Sequence, residues 1–396
     1  YLSGASGFFP VPIIITEPAV GVGIGAAVAY FHPPKDIDAS AHPYSGPPSI
    51  SVGFAAVTDN DTKLGGGAHL GSWRDDHVRY LGALAAADVN LKFFPNLGEP
   101  GTEEEGIRFN VDGTFLYQQL QFRLQESNWW LGGSFLFIDA KNSFDDGNDA
   151  GDALPGPDAD FQQGGLGIFV EYDGRNTVFT PSKGLKGLVE YRNYDKRWGS
   201  DFNYDHIVGS VQHFTPFGDY SSLGVRLEGE TVSGDVPFFG FPYVNLRGMP
   251  ALRYQGEDVL TLELEYLWGI TPRWSLALFA GAGRATSVDV FGTDDETVAA
   301  GGAGVRYRIA RKLGLQVGLD VARGPEETAY YLTVGSVWQE RARHASPDIS
   351  SIARAKTRSR PGTGVPTPTG SPRLRRRHPA GSRYQVRRRW PMHRPS

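Results

Sequence analysis

The side chains of this 396-residue chain that could carry out catalysis do not stand at the spacing of a common catalytic motif. The sequence has no Cys, and its nine His residues show neither HExxH nor another metal-ligand spacing. A nucleophile elbow and a phosphate-binding P-loop are also absent from the sequence. We therefore expect a protein that is not an enzyme and that holds no cofactor and no metal. A hydrolase whose catalytic triad is scattered over several strands is the alternative.

One acidic segment has the chemistry to bind a cation. Residues 140–161 contain six aspartates, which are Asp145, Asp146, Asp149, Asp152, Asp158 and Asp160. Calcium prefers carboxylate oxygens, but this segment lacks the EF-hand spacing and its terminal Glu. We interpret it as a solvated acidic loop, with a specific ion site as the alternative.

Carboxylates also alternate with leucines in one apolar segment. Leu260, Leu262 and Leu264 stand at alternate positions, and Glu263 and Glu265 share the opposite parity. Alternate side chains of a β-strand point to opposite faces of the sheet. A row of carboxylates cannot lie in an apolar core without partners. The pattern is typical of a barrel wall in a membrane, with leucines against lipid and carboxylates in a wet lumen.

The same alternation recurs along the chain and predicts strands. Fifteen segments carry it: 19–31, 49–58, 62–73, 76–94, 106–125, 129–139, 163–174, 184–193, 201–213, 219–232, 258–269, 273–285, 297–310, 313–323 and 328–338. Short polar turns join several of them, so the chain runs up and down. We predict an all-β fold, a transmembrane antiparallel β-barrel over residues 19–338.

Bacterial single-chain barrels have an even number of strands, so we expect 16 strands and one that the alternation missed. Residues 9–16 could supply it, although they fall in a short N-terminal lead-in, residues 1–18. Alternatively, segment 106–125 is a hairpin that turns at Asp112-Gly113, where the phase of its apolar residues changes.

The last 58 residues have a different composition from the rest of the chain. Residues 339–396 hold 15 Lys and Arg but only two acids, a net charge of +13, whereas residues 1–338 carry −18. Arginine clusters and prolines without strand alternation predict a disordered basic tail. Such a tail could bind anionic lipid or nucleic acid. Our preferred interpretation is a non-native extension, and we expect no nucleic-acid partner.

The segment between predicted strands 219–232 and 258–269 does not resemble a solvated loop. Residues 238–254 contain no acid, and their aromatic side chains are Phe238, Phe239, Phe241, Tyr243 and Tyr254. These rings must be buried, and a cavity enclosed by the surrounding strands is the nearest place. We therefore predict a loop folded inward into the barrel lumen, with the triplet Leu246-Arg247-Gly248 near its centre.

Two stretches of the sequence resemble motifs of the BamA/TamA superfamily of bacterial outer-membrane barrels, also called the bacterial surface antigen family. Leu246-Arg247-Gly248, in an aromatic loop with five strands still to come, is similar to the family's (V/L)RG(F/Y) loop. Residues 173–184 resemble its D-x-R-(D/N)-x4-P-x-x-G turn between two barrel strands. The residues that match that turn are Asp173, Arg175, Asn176, Pro181 and Gly184.

The resemblance also implies a partner for the loop arginine. In the family this arginine reaches acidic groups on the inner barrel wall, and the usual partner is the Asp of an F-x-D-x-G pattern. Residues 279–283 stand at that place and read Phe-Ala-Gly-Ala-Gly, without the Asp. We therefore expect Arg247 to pair with Glu263 or Glu265, on the preceding strand.

The ends of the predicted barrel carry two further implications. Segment 330–338 resembles the family's last strand, which closes with Gly-x-x-aromatic, here Gly335 and Trp338, and is recognised by the assembly machinery. An ordinary amphipathic edge strand is the alternative. Only about 18 residues precede the first predicted strand. Because these are too few for a periplasmic POTRA domain, the resemblance implies a POTRA-less member.

These features together predict an outer-membrane protein of a Gram-negative-type bacterium. The resemblance implies passage or insertion of a polypeptide or lipid, with outer-membrane lipid, the assembly machinery and a periplasmic partner or polypeptide substrate as its partners. A structural barrel or passive pore without translocation activity is the alternative. A soluble β-sandwich is a third possibility, and it requires the apolar faces of the strands to pack against each other.

Overall fold

A computed structural model describes residues 7–17, 21–33, 48–93, 107–144, 159–178, 180–286, 295–310, 315–326, 328–336 and 338. Residues 145–158 of the predicted acidic loop and the whole predicted basic tail lie outside these residues, whereas residues 140–144 and 159–161 are described and belong to strands. No helix among the described residues is both long and apolar enough to cross a membrane.

The described chain forms sixteen β-strands and two short 3-10 turns. The strands are β1 Gly7–Glu17, β2 Gly21–Phe31, β3 Ile50–Thr58, β4 Lys63–Trp73, β5 Val78–Phe93, β6 Ile107–Arg123, β7 Trp129–Phe144, β8 Ala159–Asp173, β9 Gly184–Tyr194, β10 Tyr204–Phe217, β11 Ser221–Gly234, β12 Asp258–Gly269, β13 Trp274–Ala285, β14 Glu296–Ala310, β15 Leu315–Arg323 and β16 Thr328–Val334. The 3-10 turns are Lys196–Trp198 and Phe238–Gly240.

The sixteen strands make one antiparallel sheet in which every strand pairs with its neighbours in the sequence. The predicted all-β fold with 16 antiparallel strands is confirmed. The sheet curls until Cα atoms of β1 and β16 come within 8 Å of each other. No backbone ladder joins these two strands in the described part of the chain. The seam between β1 and β16 is therefore the place where the wall is not held by strand pairing.

The sixteenth strand comes from residues that the sequence analysis placed in a lead-in. Residues 7–17 form β1 and pair with β2 along their whole length. Pro10 and Pro12 obscured this strand, because proline lacks the N–H that a central strand needs. Proline is tolerated in an edge strand, where its missing donor faces away from the ladder. The two prolines also leave β1 with fewer donors for a strand on its free edge.

The alternative of a hairpin at Asp112-Gly113 is wrong, since β6 runs through this site without a break and pairs continuously with β5. Tyr117 of β6 is buried inside, whereas Leu120 and Phe122 are exposed outside. Val111 has the same parity as Tyr117 and packs against buried apolar clusters. The apolar residues change face because the lumen beside Val111 is filled by apolar side chains. Beside Gln119 and Gln121, nearer the other end of β6, the buried inner side chains are polar.

The outer face of the sheet is apolar. In β12 the side chains of Leu260, Leu262 and Leu264 are 55%, 42% and 42% exposed, whereas Glu263 and Glu265 are buried. A soluble β-sandwich would bury the leucines and expose the carboxylates, so these exposures contradict that alternative. The same inside-out arrangement holds in β2, where Ile24 is exposed and Gly23 is buried.

Candidate functional site

The long connection between β11 and β12, residues 235–257, lies inside the curled sheet, and we call it the lumen loop. Its rings Phe239 and Phe241 are buried in a cluster with inner-wall residues of β6 to β11. The buried wall residues of this cluster are Tyr117, Leu136, Ile138, Ala140, Phe161, Tyr194 and Tyr204, together with Val232 of β11. The ring of Phe239 lies 4.6 Å from that of Phe161, measured between centroids, with the two planes tilted by 35°. Burial of these rings anchors the first half of the loop.

The second half of the lumen loop packs against other parts of the wall. Leu252 belongs to a buried cluster with Ile15 of β1 and Leu64 of β4. A separate buried cluster joins the loop to β12, β13 and β14. Its loop residues are Val244, Leu246 and Met249, and its wall residues are Val259, Ala285 and Ala300. The loop therefore contacts strands around most of the sheet and fills the lumen between them.

Arg247 lies at the centre of the lumen loop and is fully buried. Its Nε donates to Glu263 Oε1 at 2.8 Å, and its Nη1 donates to Glu265 Oε2 at 2.6 Å. These are the two carboxylates named from the sequence. Nη1 also donates to Asp320 Oδ2 at 3.1 Å. Charge-assisted hydrogen bonds of this kind are about twice as strong as neutral ones.

Further arginines of the wall complete an ionic cluster around Arg247. Arg306 of β14 donates from Nη2 to Asp320 Oδ2 at 2.9 Å and to Glu265 Oε2 at 3.4 Å. Arg226 of β11 lies 3.5 Å from Glu263 Oε2. We call these six residues the lock: Arg226, Arg247, Arg306, Glu263, Glu265 and Asp320. Three cations face three anions, so each buried side chain of the lock has a partner of opposite charge.

Sequence reasoning missed Asp320 and Arg306. Both alternate with exposed apolar residues, Asp320 with Leu319 and Val321, and Arg306 with Val305. This is the same signal that identified Glu263 and Glu265, and it was present in the sequence. The family pattern directed attention to β13, whereas the aspartate lies on β15.

The segment 279–283, which lacks the family's Asp, still contacts the loop. The guanidinium carbon of Arg247 lies 3.5 Å from the ring centroid of Phe279, a cation–π contact. A Cβ on Gly281 would stand 2.6 Å from Leu246 Cδ2, and a Cβ on Gly283 would stand 2.2 Å from Val244 Cγ1. The two glycines therefore leave the space that the loop side chains occupy.

Gly248 brings the backbone of the loop close to the end of β15. Its φ is +96°, and a Cβ there would stand 2.9 Å from Gly324 N. A side chain is disfavoured on both counts. Its N–H donates to the hydroxyl of Tyr331, a residue of β16. The loop is thus bonded to both β15, through Asp320, and β16.

The turn between β8 and β9 contains the residues matched to the family's turn motif. Arg175 donates from Nε to Asp173 Oδ1 at 2.8 Å. Asn176 Oδ1 accepts from the backbone N–H groups of Ser182 and Lys183, at 3.1 and 3.2 Å. Pro181 is buried.

Gly184 follows this turn and has a φ of +112°, and its ideal Cβ would lie 2.2 Å from Gly174 O. These contacts give the turn motif a local structural reason, since each residue closes or enters the turn. The turn and the lock lie apart in the chain.

Gly335 and Trp338 lie beyond the last strand, which differs from the sequence prediction. β16 ends at Val334, and Gly335 adopts a φ of +81° that turns the chain away from the sheet. Trp338 is buried at 5% exposure. The alternation of Tyr330 to Val334 indicated the strand correctly, but a left-handed glycine ended it before the terminal aromatic.

Among the described residues, no group of three or more His, Cys, Asp or Glu side chains has the arrangement of a metal site.

Comparisons with known proteins support the fold and leave the family open. No protein-family model matches the sequence, and no curated protein does. Three similar solved structures are BamA from Haemophilus ducreyi lacking POTRA domains 1–3, CdiB from Acinetobacter baumannii and CdiB from Escherichia coli, with TM-scores of 0.54, 0.56 and 0.50.

Sequence identity to these three chains is only 11%, 9% and 12%. The matches cover 84%, 84% and 83% of this chain, and 70%, 60% and 61% of the other chains. The chain therefore spans less than two thirds of the length of either CdiB. At these identities the likeness establishes one thing, which is a fold similar to the β-barrels of BamA and CdiB.

Proposed function

We propose that this chain is an outer-membrane β-barrel of the BamA/TamA type that aids passage or insertion of a polypeptide or lipid, with its lumen held closed by the lumen loop. The observation that carries the proposal is the lock, in which buried Arg247 ties the loop to β12 and β15. A purely structural barrel does not need ionic contacts to hold an internal loop. Such contacts suit a loop that is retained in the lumen and released when the barrel works.

The outer surface supports a membrane location. Large apolar side chains are exposed along the strands, among them Ile24, Leu84, Val189, Leu260, Leu278 and Leu319, all at 53% or more. A contiguous surface of this kind is costly in water and stable against lipid. The barrel fold shared with BamA and CdiB supports the outer membrane of a Gram-negative-type bacterium.

The seam offers a physical route for the cargo. Every other junction in the wall is an antiparallel ladder, whereas β1 and β16 approach without one among the described residues. Pro10 and Pro12 lower the number of donors that β1 can present there. Parting these strands therefore breaks fewer hydrogen bonds than opening the wall elsewhere. The partners we propose are outer-membrane lipid, the barrel-assembly machinery, and a periplasmic partner or polypeptide substrate, with no enzymatic activity.

A planar-bilayer recording separates this function from a passive pore. A lumen filled by the locked loop predicts a small, flickering conductance. Arg247→Ala should convert it into larger and longer openings, because the loop loses its ionic anchor. A large, stable open state in the unmodified protein would contradict the proposal and favour a passive pore.

A disulfide between the lumen loop and the wall tests whether cargo passage needs the loop to move. The chain has no Cys, so Leu246→Cys with Gly281→Cys introduces the only pair that could form a disulfide. Leu246 Cδ2 stands 2.6 Å from the ideal Cβ of Gly281, so the two positions are direct neighbours where the loop meets the wall.

The assay compares exported polypeptides and outer-membrane lipid in a strain that lacks the gene and carries this variant. The oxidised variant should fail to complement the strain, and reduction should restore it. The reduced double variant and Leu246→Cys alone are the matched controls, since a Cβ at Gly281 would stand 2.6 Å from Leu246 Cδ2 if the leucine were kept. Full complementation by the oxidised variant would favour a structural barrel.

A further inference from the structure

Beyond β16, the described residues Gly335 and Trp338 are not part of a strand, and Trp338 lies on the lumen side of the wall. Gly335 donates its backbone N–H to Gln316 O at 2.7 Å and turns the chain with its φ of +81°. Trp338 then lies buried against strands on a distant part of the wall. Its backbone oxygen accepts from Gln212 Nε2 at 3.2 Å, and its ring lies 5.7 Å from that of Phe214.

The wall is shaped to receive this ring. A Cβ on Gly224 of β11 would stand 2.5 Å from Trp338 Cζ3, so glycine at this position leaves room for the indole. The indole N–H points to the lock and donates to Glu263 Oε2 at 2.7 Å. A buried tryptophan usually has a partner for this N–H, and here the partner is a carboxylate.

Glu263 is therefore held from two sides. Its Oε1 accepts from Arg247 of the lumen loop, and its Oε2 accepts from Trp338. We propose that Trp338 is a positioning residue for the lock: its indole N–H orients Glu263 toward Arg247 and so ties the end of β16 to the lumen loop. The resemblance to the family implied that this aromatic is a recognition signal at the end of the last strand, a role that does not require contact with Glu263.

A second bond supports the tie between β16 and the loop. Tyr331 of β16 accepts from the backbone N–H of Gly248, next to Arg247. β16 thus contacts the loop directly at Tyr331 and indirectly through Trp338 and Glu263. Because β16 is also the free strand at the seam, displacement of its end from the lumen would release Glu263 and weaken the lock. This inference rests on the lock and not on any cargo.

Labelling of a single cysteine measures release of the loop. Met249→Cys places one thiol at a buried position of the loop in a chain without other cysteines. In this background, Trp338→Phe keeps an aromatic ring near Phe214 but removes the indole N–H together with part of the ring system. The rate of reaction with a membrane-impermeant maleimide should rise about tenfold, the effect expected from losing a hydrogen bond to a charged group. Trp129→Phe, at an exposed indole outside the barrel, is the matched control and should leave the rate unchanged.

A double variant distinguishes positioning from simple packing. If Trp338 acts through Glu263 on Arg247, Trp338→Phe should have no further effect in the Arg247→Ala background. A persisting tenfold effect in that background would overturn the inference, and so would a wild-type labelling rate in the single variant. The assay uses no cargo, so failure of the proposed passage function would leave its outcome unaffected.

Discussion

Removal of the arginine at the centre of the lock gives the most informative perturbation. Arg247→Ala deletes a side chain that is 0% exposed and that donates to Glu263, Glu265 and Asp320. The substitution also removes the cation–π contact with Phe279. The apolar contacts of the lumen loop remain, so the barrel should still fold while the loop is held less firmly.

The size of the effect follows from the charges that remain. Breaking a buried ion pair by removing one partner costs about 3–5 kcal/mol. Asp320 keeps Arg306 at 2.9 Å, Glu265 keeps Arg306 at 3.4 Å and Glu263 keeps Arg226 at 3.5 Å. Because each carboxylate retains an arginine, we expect the lower end, about 3 kcal/mol. At 1.4 kcal/mol per factor of ten, the population with a released loop should rise about 100-fold.

The assay is limited proteolysis of the lumen loop in the folded barrel, together with heat-modifiability on gels. Cleavage of the loop should accelerate strongly while the barrel band stays heat-modifiable. Arg253→Ala is the matched control on the same loop, since Arg253 pairs with Glu326 at 2.7 Å but Glu326 is 42% exposed. Such an exposed pair contributes about 0–1 kcal/mol. If Arg247→Ala and Arg253→Ala were cleaved at the same rate, the lock would not be what retains the loop.

Two further substitutions test the wall around the lock. Gly248→Ala should release the loop by about 1–3 kcal/mol, because φ is +96° and the new Cβ would stand 2.9 Å from Gly324 N. Loop proteolysis measures this effect, with Gly53→Ala as the control, since no atom lies within 4 Å of a Cβ at Gly53. Leu262→Arg should destabilise the barrel in lipid vesicles by about 2–4 kcal/mol, because Leu262 is exposed on the outer face in mid-strand. Denaturant titration measures it, and an Arg variant no less stable than Leu262→Ala would contradict the lipid-facing assignment.

The strand pattern was predictable because, in a membrane barrel, residues that face lipid alternate along each strand with residues that face the lumen. Leu260 and Glu263 show this most clearly, since lipid and a polar lumen impose opposite demands on neighbouring positions. The same rule failed at β6 for a tertiary reason. Val111 points inward and is apolar because it packs against clusters that include residues of the lumen loop. The sequence of β6 alone cannot show which part of the lumen the loop occupies.

The contacts of Arg247 were predictable only in part. The resemblance indicated an inward arginine, and the alternation on β12 indicated Glu263 and Glu265 as nearby carboxylates. Asp320 lies 73 residues away in the chain, and its distance of 3.1 Å from Arg247 depends on how the sheet curls. Residues so far apart meet only when the whole wall is assembled.

The sequence alone therefore determined the all-β fold, the up-and-down order of the strands, the outward direction of the leucines and the inward loop. These properties follow from local alternation and from the burial of aromatic rings. The tertiary structure alone decided the role of Pro10 and Pro12 at an edge, the membership of Arg306 and Asp320 in the lock, and the inward turn of Trp338 to Glu263. The place of the two prolines depends on β1 being an edge strand of the sheet. The other two depend on contacts across the lumen, and the curvature of the sheet sets those distances.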